Sequence, residues 1–353
     1  MSLIYIGVTY PSSHKGNVEY EIAAIEAASS QINQKFAEHN NLLINATWFG
    51  PQFSDNNNTW QQYLELVNSG IKIDNLFLLS TVDPLMLNND QTDAIIHSLG
   101  NPKVFKIGNF DSEYDYNYTS VACADHFKPY PEDQLLLTNL KYLFINYNRK
   151  PRAHRVKFVR KLKDKNLLAY GIVTLGKPNI IYDQDPNNDL YLSIGEKAED
   201  YVQHGNWFIN DEFGIPHDLF SLHNMDYWSH HFLNIISETE FNPWDDIFVT
   251  EKTWKPILGL RPFVINEQTK IYKYLRDHGF HTFNHYFNGI ELENIPEYAV
   301  HDSIINVLQH LIRLDTKEIL SMYNDMLPSL RHNQQRLKEF AREQQFKMEH
   351  IFD

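Results

Sequence analysis

Residues 247–265, IFVTEKTWKPILGLRPFVI, read as the end of a strand, a tight connection, a short helix and an apolar strand from Pro262 to Ile265. A helix that feeds straight into such a strand belongs to a crossover, the connection that parallel strands require because a hairpin cannot join them. Thr250 can cap this helix, and Glu251 and Lys252 stand in its first turn. Backbone N–H groups, the positive end of a helix dipole and an ammonium then converge at one point, where an anion belongs. Pro256 is tolerated near a helix start and costly in an interior, so the helix is expected to begin at about Thr253 or to be short and kinked.

Working outward, the same alternation continues on both sides. Upstream lie strand Tyr142 to Asn146, helix His154 to Leu162, strand Leu167 to Thr174 and strand Phe232 to Ile236. The first third repeats the pattern: strand Leu3 to Val8, helix Glu19 to His39, strand Leu42 to Phe49, helix Trp60 to Ser69, and strands Asn75 to Ser80 and Val104 to Ile107. Strands separated by helix-length segments predict an α/β chain with two Rossmann-like domains. The run Lys128-Pro-Tyr-Pro-Glu-Asp133 suits an exposed connection, which divides the chain into residues 1–130 and 131–353. Residues 301–353 read as almost continuous C-terminal helix, with Ile304, Ile305, Leu308, Leu311 and Ile312 at helical spacing. Two doubly wound domains in tandem would bind ligands at the carboxyl ends of their strands, which suggests a two-substrate enzyme.

Composition narrows the function. With 45 acidic against 31 basic side chains the net charge is −14, which opposes nonspecific capture of nucleic acid, so nucleic acid is not expected as a partner. Few Lys or Arg fall in residues 1–100, in the same sense. One cysteine, Cys123, forms no internal disulfide, and the opening MSLIYIGVTY lacks a secretory pattern; a reducing, cytoplasmic setting is expected. No apolar run approaches the ~20 residues of a membrane span. Neither Gly-x-x-x-x-Gly-Lys-Ser/Thr nor Gly-x-Gly-x-x-Gly after the first strand occurs, so P-loop enzymes, kinases and ordinary dehydrogenases fit poorly.

A second concentration of chemistry is Asn146-Tyr-Asn148-Arg149-Lys-Pro-Arg-Ala-His-Arg155, where a strand turns into a helix. Four basic side chains crowd that turn in an acidic protein, and cations at a helix start suit a diphosphate. These segments resemble those of the α1,3-fucosyltransferases, inverting, metal-independent glycosyltransferases of the two-Rossmann-domain (GT-B) architecture. Val249-Thr250-Glu251-Lys252 matches their nucleotide-binding signature, Asn146 to Leu162 is similar to their strand, Asn-containing turn and arginine-led helix, and Val104 to Glu113 looks like the segment carrying their catalytic base.

The resemblance covers residues 104–290 and implies that Lys252 and Arg155 hold a donor diphosphate and Glu251 the ribose, with Thr250, Arg149, Asn148, Ser237 and Glu238 lining the donor site. Where the family carries glutamate after the glycine this chain has Asn109, so Asp111 and Glu113 become the candidates for the base, with Asp83 in the Ser80-Thr-Val-Asp83-Pro turn as a third. Ser237-Glu238-Thr239 likewise replaces Glu-Asn-Ser.

The function implied is a nucleotide-sugar glycosyltransferase, with GDP-fucose as a donor to test, a glycan or other hydroxyl as acceptor, no cofactor and no metal. The departure at Asn109 leaves open a binding protein that has kept the fold and lost catalysis, and a glycosyltransferase acting on modified nucleic acid is the remaining alternative. His278, His281 and His285 lie in a loop-like stretch, and Asp183-Gln-Asp185 in a polar turn, so neither is read as a metal site. His223 and His231 are further candidates for the donor pocket, and Tyr10, Trp48, Phe49 and Tyr227 for stacking on sugar rings.

Overall fold

In the computed structural model the described residues are 3–6, 26, 28–45, 58–80, 90–108, 114–115, 118–148, 153–174, 221–222, 224–238, 247, 249–266 and 268–350. They form two compact units, one comprising Met1–Asp125, Trp244–Phe248 and Glu339–Asp353, the other His126–Pro243 and Val249–Lys338. The fold class is that expected: mixed α/β, with a parallel sheet in each unit and helices interleaved between its strands.

The first sheet is built from β1 (Ile4–Ile6), β2 (Asn41–Asn45), β3 (Asn75–Ser80), β4 (Lys103–Gly108) and β5 (Tyr114–Asp115), lying side by side in chain order. Between them run α1 (residues 28–35), α2 (Asn58–Asn68) and α3 (Asp90–Ser98). Leu42, Leu76 and Phe77 are wholly buried, as short uninterrupted apolar runs demand when a parallel sheet is covered by helices. Phe77 stacks on Phe105 with centroids 4.7 Å apart, and Phe36, just past α1, packs edge-on against both. After β5 come α4 (Tyr118–His126), which buries Cys123, and α5 (Glu132–Leu135).

The second sheet has the spatial order β7-β6-β8-β9, all parallel, from β6 (Tyr142–Asn146), β7 (Gly171–Val173), β8 (His231–Ser237) and β9 (Phe263–Asn266). Helices α6 (Ala153–Asp164), α7 (Met225–Trp228), α8 (Glu251–Leu258), α9 (Lys270–Asp277), α10 (Glu297–Leu311) and α11 (Thr316–Glu349) complete the chain. Among the described residues no helix is long and apolar enough to cross a membrane.

Three elements differ from the sequence reading. The strand expected over Leu167 to Thr174 is only β7, because Asn166 adopts a left-handed φ of 56° and the Leu167 N–H returns to the Leu162 carbonyl at 2.8 Å. Leu168–Tyr170 then form a 3-10 turn that leads into β7. The C-terminal helix is two helices. Asp315 and Glu318 exchange side-chain-to-backbone hydrogen bonds of 2.7 and 2.9 Å, a capping box that starts α11 afresh. Helix α8 begins at Glu251 rather than at about Thr253, and it is the short alternative, with Thr250 as its cap and Glu251 in its first turn as read from the sequence. Pro256 is its sixth residue, so its missing N–H deprives one carbonyl, that of Lys252, of an intrahelical donor.

The far end of α8 is fixed by a close fit. A Cβ at Gly259 would lie 2.3 Å from the ring of Trp228, whose indole N–H donates to the Gly259 carbonyl at 2.9 Å. Arg261, wholly buried, donates to the Trp228 and Leu260 carbonyls at 2.8 and 3.0 Å and to the Tyr323 hydroxyl at 3.3 Å. Gly259→Ala should therefore lower stability by ~1–3 kcal/mol through overpacking against an indole that has no room to yield. Urea unfolding of the purified variant checks this, and an unchanged midpoint would mean that Trp228 can shift.

Candidate functional site

The second sheet reverses direction. From β6 the chain steps to β7 on one side, and β8 and β9 then build outward on the other, so the switch lies between β6 and β8. Open α/β sheets bind ligands outside the carboxyl ends of the strands at such a point. The described strands of the first sheet, added in simple succession, contain no such reversal.

The strands of the second sheet end in polar residues that hold one another. Asn146 donates through Nδ2 to the Ile235 carbonyl at 2.9 Å and to Ser237 Oγ at 3.1 Å, and Asn266 Nδ2 donates to the same hydroxyl at 3.1 Å. Because the Ile235 carbonyl only accepts, the orientation of the Asn146 amide is fixed, and its Oδ1 receives Asn148 Nδ2 at 2.5 Å. The Asn148 N–H donates to Thr174 Oγ1 at 2.9 Å. All five side chains are buried, and together they tie the ends of β6, β7, β8 and β9 into one rim.

Glu238, the residue after β8, joins this rim to two helix starts. Its carbonyl receives Arg155 Nη2 at 2.7 Å and His154 Nε2 at 3.1 Å from the first turn of α6; Arg155 Nη2 also reaches the Ser237 carbonyl at 2.9 Å. Its carboxylate takes the Thr250 N–H at 3.0 Å, the Thr250 hydroxyl at 2.5 Å and the Thr253 hydroxyl at 2.7 Å, all at the start of α8. Arg155 and Glu238 are each 2% exposed, so both work from behind the surface.

Glu251 and Lys252 are different. Their side chains retain 18% and 25% exposure and pair at 2.7 Å, and Lys252 Nζ also reaches Thr250 Oγ1 at 3.2 Å. Burial alone would raise the Glu251 carboxyl, but the Lys252 and Lys255 ammoniums, with the hydrogen bond from Lys252, outweigh it and bring it down to about 2. Burial pushes the Glu238 carboxyl the other way, above its ordinary value, with the Lys252 charge and the Thr250 hydrogen bonds opposing. Beyond the cap, then, the first turn of α8 presents a carboxylate ionised at any physiological pH and an ammonium. That pair can accept hydrogen bonds from a diol and offset the charge of an anion.

Of the residues singled out in the sequence, Thr250, Glu251, Lys252, Arg155, Asn148, Ser237 and Glu238 thus belong to one polar assembly at the carboxyl end of the second sheet. Arg149, the three candidate bases Asp83, Asp111 and Glu113, and also His223, Tyr10, Trp48, Phe49, Asp183 and Asp185, lie outside the described residues. His231 and Tyr227 do not belong to the assembly. His231 opens β8 at the amino end of the sheet, donating from Nδ1 to the Trp228 carbonyl at 2.8 Å and accepting Asn234 Nδ2 at 2.7 Å. Burial and nearby Arg261 hold it neutral. Tyr227 packs edge-on against Tyr142, the first residue of β6. A sequence does not say which end of a strand a flanking residue shares with the ligand until the strand's direction in the sheet is known. Thr253, His154 and Asn266 were not singled out, although a polar residue closing an apolar strand run, as Asn266 does, was a signal that could have found one of them. Among the described residues no group of three or more His, Cys, Asp or Glu could hold a metal ion.

No protein-family model matches the chain, and no curated protein matches it either. Among solved structures, the Candida albicans trehalose-6-phosphate phosphatase N-terminal domain superposes with a TM-score of 0.36 at 11% identity, over 96% of this chain and 78% of that one. An alpha,alpha-trehalose-phosphate synthase (UDP-forming) from Burkholderia xenovorans, in complex with glucose-6-phosphate, gives 0.37 at 12% identity, over 96% and 79%. Likeness at this level speaks to neither substrate nor activity.

The two carboxyls should leave opposite signatures in stability against pH. Glu251, depressed in the fold, contributes stability that is complete above its unfolded value of 4.5 and is lost as pH falls toward about 2. Glu238, raised in the fold, costs stability as pH climbs from 4.5 through its folded value. Urea titrations between pH 3 and 8 should therefore show Glu251→Gln losing the acid-side slope and Glu238→Gln losing the fall on the alkaline side of 4.5. Parallel curves for wild type and both variants would contradict this.

Proposed function

We propose that the chain is a glycosyltransferase that moves a sugar from a nucleotide-sugar donor to a hydroxyl of a glycan or other acceptor, with inversion and without a metal. The observation that carries the reading is the pairing of Glu251 and Lys252, both partly exposed, on a capped helix start beside the β6–β8 reversal. A nucleoside diphosphate offers the two chemistries this pair can take. Its diphosphate meets Lys252 and the positive helix end, and its ribose diol donates to a carboxylate that stays ionised. The Val249-Thr250-Glu251-Lys252 match to the α1,3-fucosyltransferases supports the same division and makes GDP-fucose the first donor to try.

In this reading a base deprotonates the acceptor hydroxyl, its oxygen bonds to the anomeric carbon on the face opposite the diphosphate, and the nucleoside diphosphate leaves with the electrons of the broken bond. Lys252 and the helix start meet the charge that develops on the leaving group. Arg155 acts from behind, by holding the turn after β8, because its guanidinium is buried on the Ser237 and Glu238 carbonyls. Asp111, Glu113 and Asp83 remain the proposed bases, residues 1–130 the proposed acceptor domain, and residues 131–353 the proposed donor domain.

The test is thermal stabilisation by GDP-, UDP-, CMP- and dTDP-sugars with and without chelator. A donor at 100 times its dissociation constant raises stability by ~2.7 kcal/mol. One nucleotide should stabilise the protein, unchanged by chelator, and Lys252→Ala should weaken its binding at least about tenfold, the loss of one charge-assisted contact. Indifference of the wild type to all four would sink the assignment.

A further inference from the structure

We propose that Glu238 is a positioning residue for the anion site: it touches no ligand, and it holds the first turn of α8 where Glu251 and Lys252 can meet one. The proposal rests on the reading of that turn as a donor site, and it concerns what makes the turn competent.

Three observations separate this from ordinary helix capping. First, the Glu238 carboxylate is 2% exposed and both of its oxygens are occupied, Oε1 by the Thr250 N–H and the Thr253 hydroxyl, Oε2 by the Thr250 hydroxyl. It has no surface with which to meet a ligand. Second, it binds the capping residue itself. Thr250 Oγ1 serves the Lys252 N–H at 3.4 Å and Lys252 Nζ at 3.2 Å while its own proton goes to Glu238. The direction of that hydroxyl, and with it the place of the ammonium, is set by the carboxylate. Third, the main chain of Glu238 is held from the other side of the sheet reversal, by His154 and Arg155 of α6. Because a carbonyl only accepts, His154 Nε2 carries the proton and the contact is a donation from α6. One residue therefore joins both helix starts that flank the β6–β8 switch, its carbonyl facing α6 and its carboxylate α8. Thr253 is the second member of the device, a buried hydroxyl in the first turn whose bond to Glu238 fixes how the helix is rotated.

The test is a double-mutant cycle on the full chain, with dissociation constants for GDP and UDP measured by titration calorimetry and melting temperatures recorded for every variant. Glu238→Ala and Lys252→Ala should each weaken the bound nucleotide about tenfold, and the double variant should lose no more than the worse single one, because both remove the same contact. Glu238→Gln, which keeps an acceptor for the Thr250 N–H and the Thr253 hydroxyl but none for the Thr250 hydroxyl, should recover part of the affinity that Glu238→Ala loses. Thr253→Val should cost about two- to threefold in affinity, the loss of one hydrogen bond of three.

Additive losses in the cycle would overturn the proposal, since Glu238 would then act apart from Lys252. Wild-type affinity in Glu238→Ala would overturn it too. So would a Glu238→Gln variant that melts like wild type yet binds as weakly as Glu238→Ala, because the charge itself would then be what the ligand needs. If Glu238→Ala fails to fold, Thr253→Val decides, and unchanged affinity there rejects the device. A wild type that binds neither nucleotide rejects the donor-site reading and this proposal together, a pattern distinct from every outcome in which the wild type binds.

Discussion

Taking a carboxylate out of water costs several kcal/mol, and a protein can leave one buried only by surrounding it with donors. Glu238 is such a group, and its three donors all come from the two threonines that open α8. The arrangement works in one direction only. Thr250 Oγ1 accepts from the Lys252 N–H and the Lys252 ammonium, which can only donate, so its own proton is the one that goes to Glu238. The same residue's carbonyl fixes the start of α6. The polar rim of the second sheet thus has a centre at the end of β8, and the partly exposed pair Glu251 and Lys252 inherits its position from it.

The remainder of the second unit keeps that helix from drifting. Trp228 closes on Gly259 at the far end of α8 so tightly that no side chain fits there, and Arg261 binds the carbonyls around it. A buried arginine surrounded by carbonyls is a costly choice, and burial alone brings its pKa down to about 10 despite the support of Tyr323. One of those carbonyls belongs to a chain reversal, where Leu260 sits at a left-handed φ of 51°, and the others come from distant segments, so the guanidinium ties separate turns together. An eight-residue helix containing a proline has little stability of its own; both of its ends are set by groups outside it.

Much of this was legible from residue types alone. The apolar runs of β3 and β6 announced buried parallel strands to the residue, since a strand covered on both faces has no reason to alternate. Thr250 was readable as a cap, because a hydroxyl just ahead of an acidic and basic first turn has one obvious task. Where the reading missed, tertiary contacts had overruled local preference. Pro256 left two readings of α8, a start at about Thr253 or a short helix, and the structure has the short one from its Thr250 cap. Leu167 to Tyr170 looked like strand, and the closing bond of α6 took Leu167 while a 3-10 turn took the rest. The break at Asp315 was different: Asp315-Thr-Lys-Glu318 carries a capping box in plain sight, hidden only by the apolar periodicity on either side.

Arg155 shows how a charge can be recognised correctly and its place misjudged. A cluster of cations at a strand-to-helix turn is a sound anion signal, yet the one member of it among the described residues spends its guanidinium on two carbonyls under the surface. Among the described residues of the assembly, the pair that stays partly exposed is Glu251 and Lys252. With Glu251 ionised beside Lys252, the first turn of α8 carries no net side-chain charge, and a bare polyanion meets a carboxylate as well as an ammonium. Only a ligand that brings hydroxyl donors along with its negative charge satisfies both at once. In the proposed reading, that requirement, set by two adjacent residues and the buried glutamate that orients them, is what would separate a nucleotide site from a general phosphate site.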